Sequence, residues 1–256
     1  MQDEDALTSY FWSGDTLRSR SVGSSIPTGT LEVPALSARL LADCEREITR
    51  LGLEHGDVEP LSLARARTRW HGYRQYVQAV ADWAHTQGLP DLLATSGVAL
   101  MACRGARYHH DGGQYGAAAF CNLFLSDDKG LDLHFPATGL RIPLRRGTVV
   151  LFDTCQPHAV IPHHSSGFDP ADFPAGQSDT QLFLTWELPI EDAHVARALQ
   201  VSFDTDPTTA AQLSEGQLWR NGAPAMLCPA SGQWVTTAQS AQREHPSSRR
   251  RGSGSA

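Results

Sequence analysis

The sequence has no CxxC pair, no apolar run near the roughly 18 residues of a membrane span, and no surplus of positive charge. Its five cysteines (Cys44, Cys103, Cys121, Cys155 and Cys228) are odd in number, which fits reduced thiols better than a closed disulfide framework. The formal net charge of −7 works against a surface built to neutralise phosphates, so nucleic acid is not the expected partner. The first residues, Met1 to Thr8, are polar and acidic rather than basic and then apolar. Together these absences lead to the expectation of a soluble, cytoplasmic protein with no membrane partner. Only 19% of the residues are charged while 41% are hydrophobic, enough to bury one large core with a helical annex.

What is present changes character along the chain. Residues 1–32 mix Ser, Thr and Gly without a sustained period and read as an irregular arm, docked by Tyr10, Phe11 and Trp12. Leu36, Leu40, Ile48 and Leu51 recur at helical spacing, with Pro34 suited to a first turn and Gly52 to a C-terminal cap. A second helix is expected from about Leu63 to Thr86, with Trp70, Tyr73, Val77, Val80 and Ala84 as a packing stripe. After Leu93, short Val-, Phe- and Leu-rich runs between Gly, Asp and Pro predict strands near 97–104, 116–125, 131–135, 140–144, 147–152, 157–161 and 180–188. Strands in succession without helices between them imply an antiparallel sandwich or barrel, with the earlier helices against one face. A helix is expected over 192–200. The chain thus divides into an arm with supporting helices (1–93), a β core (94–200), an extension packed on it (201–243) and a disordered polar tail (244–256).

Six of the 11 histidines lie between 109 and 164. His109 and Asp111, two apart at a strand end, can both turn toward one ion while His110 points away, and His158 enters from a distant strand. Two imidazoles and one carboxylate on one face of an octahedron leave three positions open, which suits iron(II) binding a chelating cosubstrate and dioxygen. Zinc accepts the same ligands, but its catalytic sites need one open position. A lone H-x-D carries little weight in so histidine-rich a chain, where His109 could simply cap a turn. The surrounding strands and turns, from Ala117 through Phe152, supply the context.

With those residues in view, the stretch from about 97 to 190 resembles the double-stranded β-helix (jelly roll) core of the iron(II) and 2-oxoglutarate dependent dioxygenases, closest to the prolyl 4-hydroxylase group. The resemblance is carried by RYHHD (107–111), HFPATGLRIPLRRGTVVLFD (134–153), PHAV (157–160) and TQLFLTWEL (180–188). It implies a mainly β fold with N-terminal supporting helices, His109, Asp111 and His158 as catalytic metal ligands, and Fe(II) with 2-oxoglutarate as cosubstrate. It also implies hydroxylation of an unactivated C–H bond by dioxygen, in an amino acid, another small metabolite or a peptide. Asp111 favours hydroxylation over halogenation, because halogenating relatives vacate the carboxylate position. Two alternatives stand beside this: a metal-binding sensor that has lost 2-oxoglutarate, and an iron oxygenase that does not use it. The sequence carries no signal for an oligomeric state.

Two departures matter. Relatives place an arginine or lysine on the last core strand, several residues before a tryptophan, to meet the far carboxylate of 2-oxoglutarate. Here Thr180 stands six before Trp186, and Phe124 replaces an assisting tyrosine. Arg104, or failing it Arg141, is the expected substitute. The stretch from His163 to Ser178 reads as a loop long enough to serve as a lid, and Cys121 and Cys155 as small buried hydrophobes.

Overall fold

The computed structural model describes residues 6–89, 92–174, 179–206 and 216–235. The chain opens with β1 (Leu7–Ser13), β2 (Thr16–Ser21) and β3 (Thr28–Thr30), then α1 (Ala38–Leu51), β4 (Val58–Leu61), α2 (Leu63–Arg67), α3 (Tyr73–Thr86) and α4 (Leu92–Thr95). The strand-rich part follows as β5 (Val98–Cys103), β6 (Ala106–His109), α5 (Gly112–Tyr115), β7 (Ala118–Phe124), β8 (Leu131–Phe135), β9 (Leu140–Pro143), β10 (Thr148–Asp153), β11 (His158–Pro162) and β12 (Gln181–Pro189). Last come α6 (Ala193–Leu199), β13 (Trp219–Arg220), β14 (Ala223–Pro224), β15 (Met226–Leu227) and β16 (Trp234–Val235). No helix among the described residues is long and apolar enough to cross a membrane.

The protein is mainly β. A six-stranded antiparallel sheet has the order β3-β10-β7-β12-β5-β4, and a four-stranded one the order β6-β11-β8-β9. Alternation along the six-stranded sheet sorts its side chains into two cores. Leu100, Leu123, Leu151, Leu184 and Trp186 point toward the helices, meeting Leu40, Tyr76, Val80 and Trp83. Phe124, Val150, Phe152 and Phe183 point the other way, meeting Leu133, Phe135 and Val160 of the four-stranded sheet. Each such fully buried side chain contributes about 1.5–3 kcal/mol, so the central sheet is held from both faces. Gly147 shows how tightly the turn into β10 is packed: its φ is +87°, and a Cβ there would lie 2.0 Å from the Leu31 carbonyl oxygen.

α1 begins at the Ser37 cap, whose hydroxyl accepts from the Leu40 N–H, and ends at Gly52 in the left-handed region. The expected single helix over 63–86 is two, broken between Thr68 and Gly72 where Trp70 turns in against Tyr73 and Tyr76.

The expectation of an irregular arm over 1–32 is overturned, since β1 and β2 pair in full register through a turn at Gly14-Asp15. The apolar period was invisible because the hairpin buries polar side chains, Ser9, Ser19 and Arg20, against the core. The expected tail over 244–256 lies outside the described residues.

Candidate metal centre

β6 and β11 are antiparallel neighbours, and their register sets His109 opposite His158. The two rings lie 4.4 Å apart between centroids. Asp111 follows in the turn into α5, its backbone N–H donating to the Thr154 carbonyl at 2.8 Å. The carboxylate comes to 3.5 Å from His109 Nε2 and 3.6 Å from His158 Nε2. One donor atom from each residue falls within 4.8 Å of the others.

Each ring is aimed by its own backbone. His109 Nδ1 donates to the Arg107 carbonyl at 2.7 Å and His158 Nδ1 to the Gln156 carbonyl at 2.9 Å. With the proton fixed on Nδ1, the Nε2 lone pairs converge with the carboxylate, as metal-bound histidines require. Burial, followed by His109, pushes His158 down to about 3, so it stays neutral. Burial raises the Asp111 carboxyl above its ordinary value. Three electron-pair donors this close are a donor set for a cation. His158 is buried, while His109 and Asp111 leave one side open. His110 turns aside, half-buried, and its Nδ1 accepts from the Gly112 N–H.

Sequence reasoning missed the support beneath these ligands. Arg20, fully buried on β2, donates to both carboxylate oxygens of Asp153 at 2.5 and 2.8 Å and to the Gly116 carbonyl at 2.9 Å. Asp153 also accepts from the Gly23 and Cys155 N–H groups. Thr154 donates its hydroxyl to the carbonyls of Tyr115 and Ala118. The turn from Asp153 to Gln156 therefore fixes both the Thr154 carbonyl that holds Asp111 and the Gln156 carbonyl that orients His158. Nothing in the sequence links position 20 to position 153; only the folded hairpin does. Behind Asp111, Gly216 packs so closely on Gly112 that a Cβ at 216 would lie 2.2 Å from its carbonyl.

The residues expected to anchor a cosubstrate are placed elsewhere. Arg104 sits at the opposite end of β6, donating to Asp179 Oδ1 at 3.2 Å and the Leu53 carbonyl at 3.3 Å, with His55 Nε2 at 2.9 Å. Arg141 donates to Asp132 and to the carbonyls of Pro162 and Ser165, tying down the chain after β11. Thr180 precedes β12 and by alternation shares the helix-facing side of Leu182, Leu184 and Trp186. Phe124 stacks with Phe183 between the sheets, centroids 5.2 Å apart.

Much of the expected lid is pinned. His163 bonds Asp132 at 2.6 Å, and Phe168 and Phe173 are buried; residues 175–178 of that stretch lie outside the described residues. Cys121 and Cys155 are fully buried, and burial pushes their thiols up to about 12 and about 11, so neither is a nucleophile.

No family model matches the chain, and no curated protein matches it by sequence. Among solved structures it is similar to a Pseudomonas putida prolyl-4-hydroxylase, at 18% identity and a TM-score of 0.39 over 64% of this chain and 92% of that one. It is similar to a viral collagen prolyl hydroxylase of Paramecium Bursaria Chlorella virus-1, in complex with 2OG, at 12% identity and a TM-score of 0.39 over 64% and 96%. A non-heme alpha ketoglutarate dependent carbocyclase from nogalamycin biosynthesis aligns at 12% identity and a TM-score of 0.36 over 83% and 92%. The structures that this chain resembles are thus prolyl-4-hydroxylase-like and other iron and 2-oxoglutarate dependent oxygenases, while the case for a metal rests on His109, Asp111 and His158 themselves.

Proposed function

We propose that His109, Asp111 and His158 hold one iron(II) and that the protein is a 2-oxoglutarate dependent oxygenase hydroxylating an unactivated C–H bond of a small molecule or peptide. The observation that carries this is the pair of imidazoles, each with its proton committed to a backbone carbonyl, converging with one carboxylate on a single side. Such a facial set leaves open positions for a chelating cosubstrate and dioxygen. In this reading the two facing sheets form a double-stranded β-helix, its metal end at the start of β11 and its helix-covered face on the six-stranded sheet.

Bound iron would supply dioxygen activation. The chain's own part is positioning: Gln156 and Arg107 hold the imidazoles, Thr154 holds Asp111, and Phe152 and Phe135 shield His158 from water, with ring centroids 4.9 and 6.0 Å away. A second reading, an iron oxygenase without 2-oxoglutarate, is favoured by one observation: Arg104 and Arg141 are both committed elsewhere.

Metal analysis tests the first step. Purified protein loaded anaerobically should hold one iron per chain, and His158→Ala should lose it; an undiminished iron content in that variant removes His158 from the site. Oxygen consumption coupled to succinate release then separates the first reading from the second.

A further inference from the structure

We infer that the end of 2-oxoglutarate remote from the metal is held by the side-chain amide of Asn122 and the hydroxyl of Thr185, two neutral groups, and not by a cation. This rests on the reading of the site as a 2-oxoglutarate dependent iron centre. Asn122 on β7 and Thr185 on β12 are directly opposite each other across the ladder, on the face turned to the four-stranded sheet. Asn122 is only 6% exposed. Its Oδ1 and the Thr185 Oγ1 are both buried with no hydrogen-bond partner among the described residues. Buried polar side chains are nearly always satisfied, so two adjacent orphans on the inter-sheet face mark a place that a ligand completes. Turned about its last bond, the amide offers either a donor or an acceptor, and the hydroxyl offers both.

Their level in the fold matches the ligand. Phe152 packs against the His158 ring, and its register partner on β7 is Phe120. Asn122 lies one strand repeat deeper, about 7 Å, roughly the reach of a five-carbon diacid chelated at its other end. One repeat deeper again, Phe124 and Phe183 pack ring against ring. The positions of β5, β7, β10 and β12 facing this space carry Ala99, Met101, Phe120, Asn122, Thr148, Val150, Thr185 and Glu187 among others, and no basic residue. An uncompensated carboxylate is penalised there, whereas a carboxamide is not. The site therefore selects on hydrogen bonding and accepts an uncharged distal group at least as readily as a charged one.

The experiment is an anaerobic titration of the iron-loaded protein with 2-oxoglutarate and with 2-oxoglutaramate, its distal amide, read by the metal-to-ligand charge-transfer band. The unmodified protein should bind the amide at least as tightly as 2-oxoglutarate itself. Asn122→Leu and Thr185→Val should each weaken both ligands by about tenfold, one hydrogen bond's worth. Iron content should stay at one per chain. The apo Asn122→Leu protein should melt at the same temperature or higher, because an orphan polar group has been removed. Unchanged affinities in both variants overturn the inference, as does a lowered apo melting temperature in Asn122→Leu, which makes the amide structural. Binding of 2-oxoglutarate with rejection of the amide overturns it in favour of a cation. Iron-loaded protein that develops no charge-transfer band with either ligand overturns the 2-oxoglutarate reading itself and this inference with it.

Discussion

The two ends of the space between the sheets follow opposite electrostatic plans. At the metal end, two imidazole lone pairs and a carboxylate converge with no cation among them, their protons and backbone bonds spent on holding orientation. At the far end, Arg104, His55 and Asp179 neutralise one another, and the aromatic pair Phe124–Phe183 lies between. Electron-pair donors are left unmatched at the first end, whereas the carboxylate at the second is matched by a guanidinium. The ends also differ in what supports them: the first leans on a fully buried ion pair from the N-terminal hairpin, the far end on a pair whose arginine is partly exposed.

Breaking that support is the largest effect expected short of removing a ligand. In Arg20→Met the Asp153 carboxylate stays fully buried, keeping its Gly23 and Cys155 N–H groups but losing its only cation among the described residues. Removing one partner of a buried pair costs about 3–5 kcal/mol, so the urea midpoint should fall by that equivalent. Because the Asp153–Gln156 turn aims both Asp111 and His158, iron affinity should fall as well. A destabilised variant that binds iron at unmodified affinity would separate the hairpin from the metal centre and undo the first half of the comparison.

The metal end is also where acid should act. The unfolded chain protonates His158 at its ordinary 6.5, whereas the folded one holds it neutral until about 3. Between those values the unfolded state binds more protons, so the apo protein loses stability as pH falls through that window. At about pH 4.5 the loss should be about 2–3 kcal/mol. Asp111 has the opposite sign: burial raises its folded pKa above the ordinary 3.8, so above that value the folded state binds more protons and acid favours it. Urea unfolding from neutral pH downward, with His158→Gln as the reference, measures the difference; parallel pH profiles for the two proteins would mean that His158 is not held neutral.

How much of this was legible in the sequence follows from the same contrast. His109 and Asp111 are neighbours in the chain, and His158 heads a strand with its own PHAV signature, so the metal end could be read from local spacing. Seven of the eight strands from 97 to 189 were readable too, because their apolar runs are bounded by turn residues; β6 was not, since its four residues, Ala106–His109, show no apolar run. The cosubstrate end depends on which face of β12 each residue takes, and a shift of one residue exchanges the faces. Counting back from Trp186 led to Thr180, yet Trp186 faces the helices, and the inter-sheet positions are Gln181, Phe183 and Thr185. Arg20–Asp153 is a contact across 133 residues between two segments that show no shared pattern.

The smallest effect expected concerns Arg104, which the sequence pointed to as the anchor. Its guanidinium is 23% exposed, and its Asp179 partner 5%. Arg104→Ala deletes one charged hydrogen bond at 3.2 Å and a bond to the Leu53 carbonyl, while His55 remains 3.7 Å from Asp179. The loss should be about 1–2 kcal/mol of stability. Iron content and 2-oxoglutarate affinity should be unchanged, since the side chain lies beyond the Phe124–Phe183 pair and is already bound to a carboxylate. Arg104→Lys should recover part of the stability through Asp179 alone. Thermal unfolding and the anaerobic titration, run on the same preparations, distinguish the two roles. A tenfold loss of 2-oxoglutarate affinity in Arg104→Ala without a stability cost would mean that the arginine leaves Asp179 for the ligand, and the far end would then hold a charge in reserve as the metal end does.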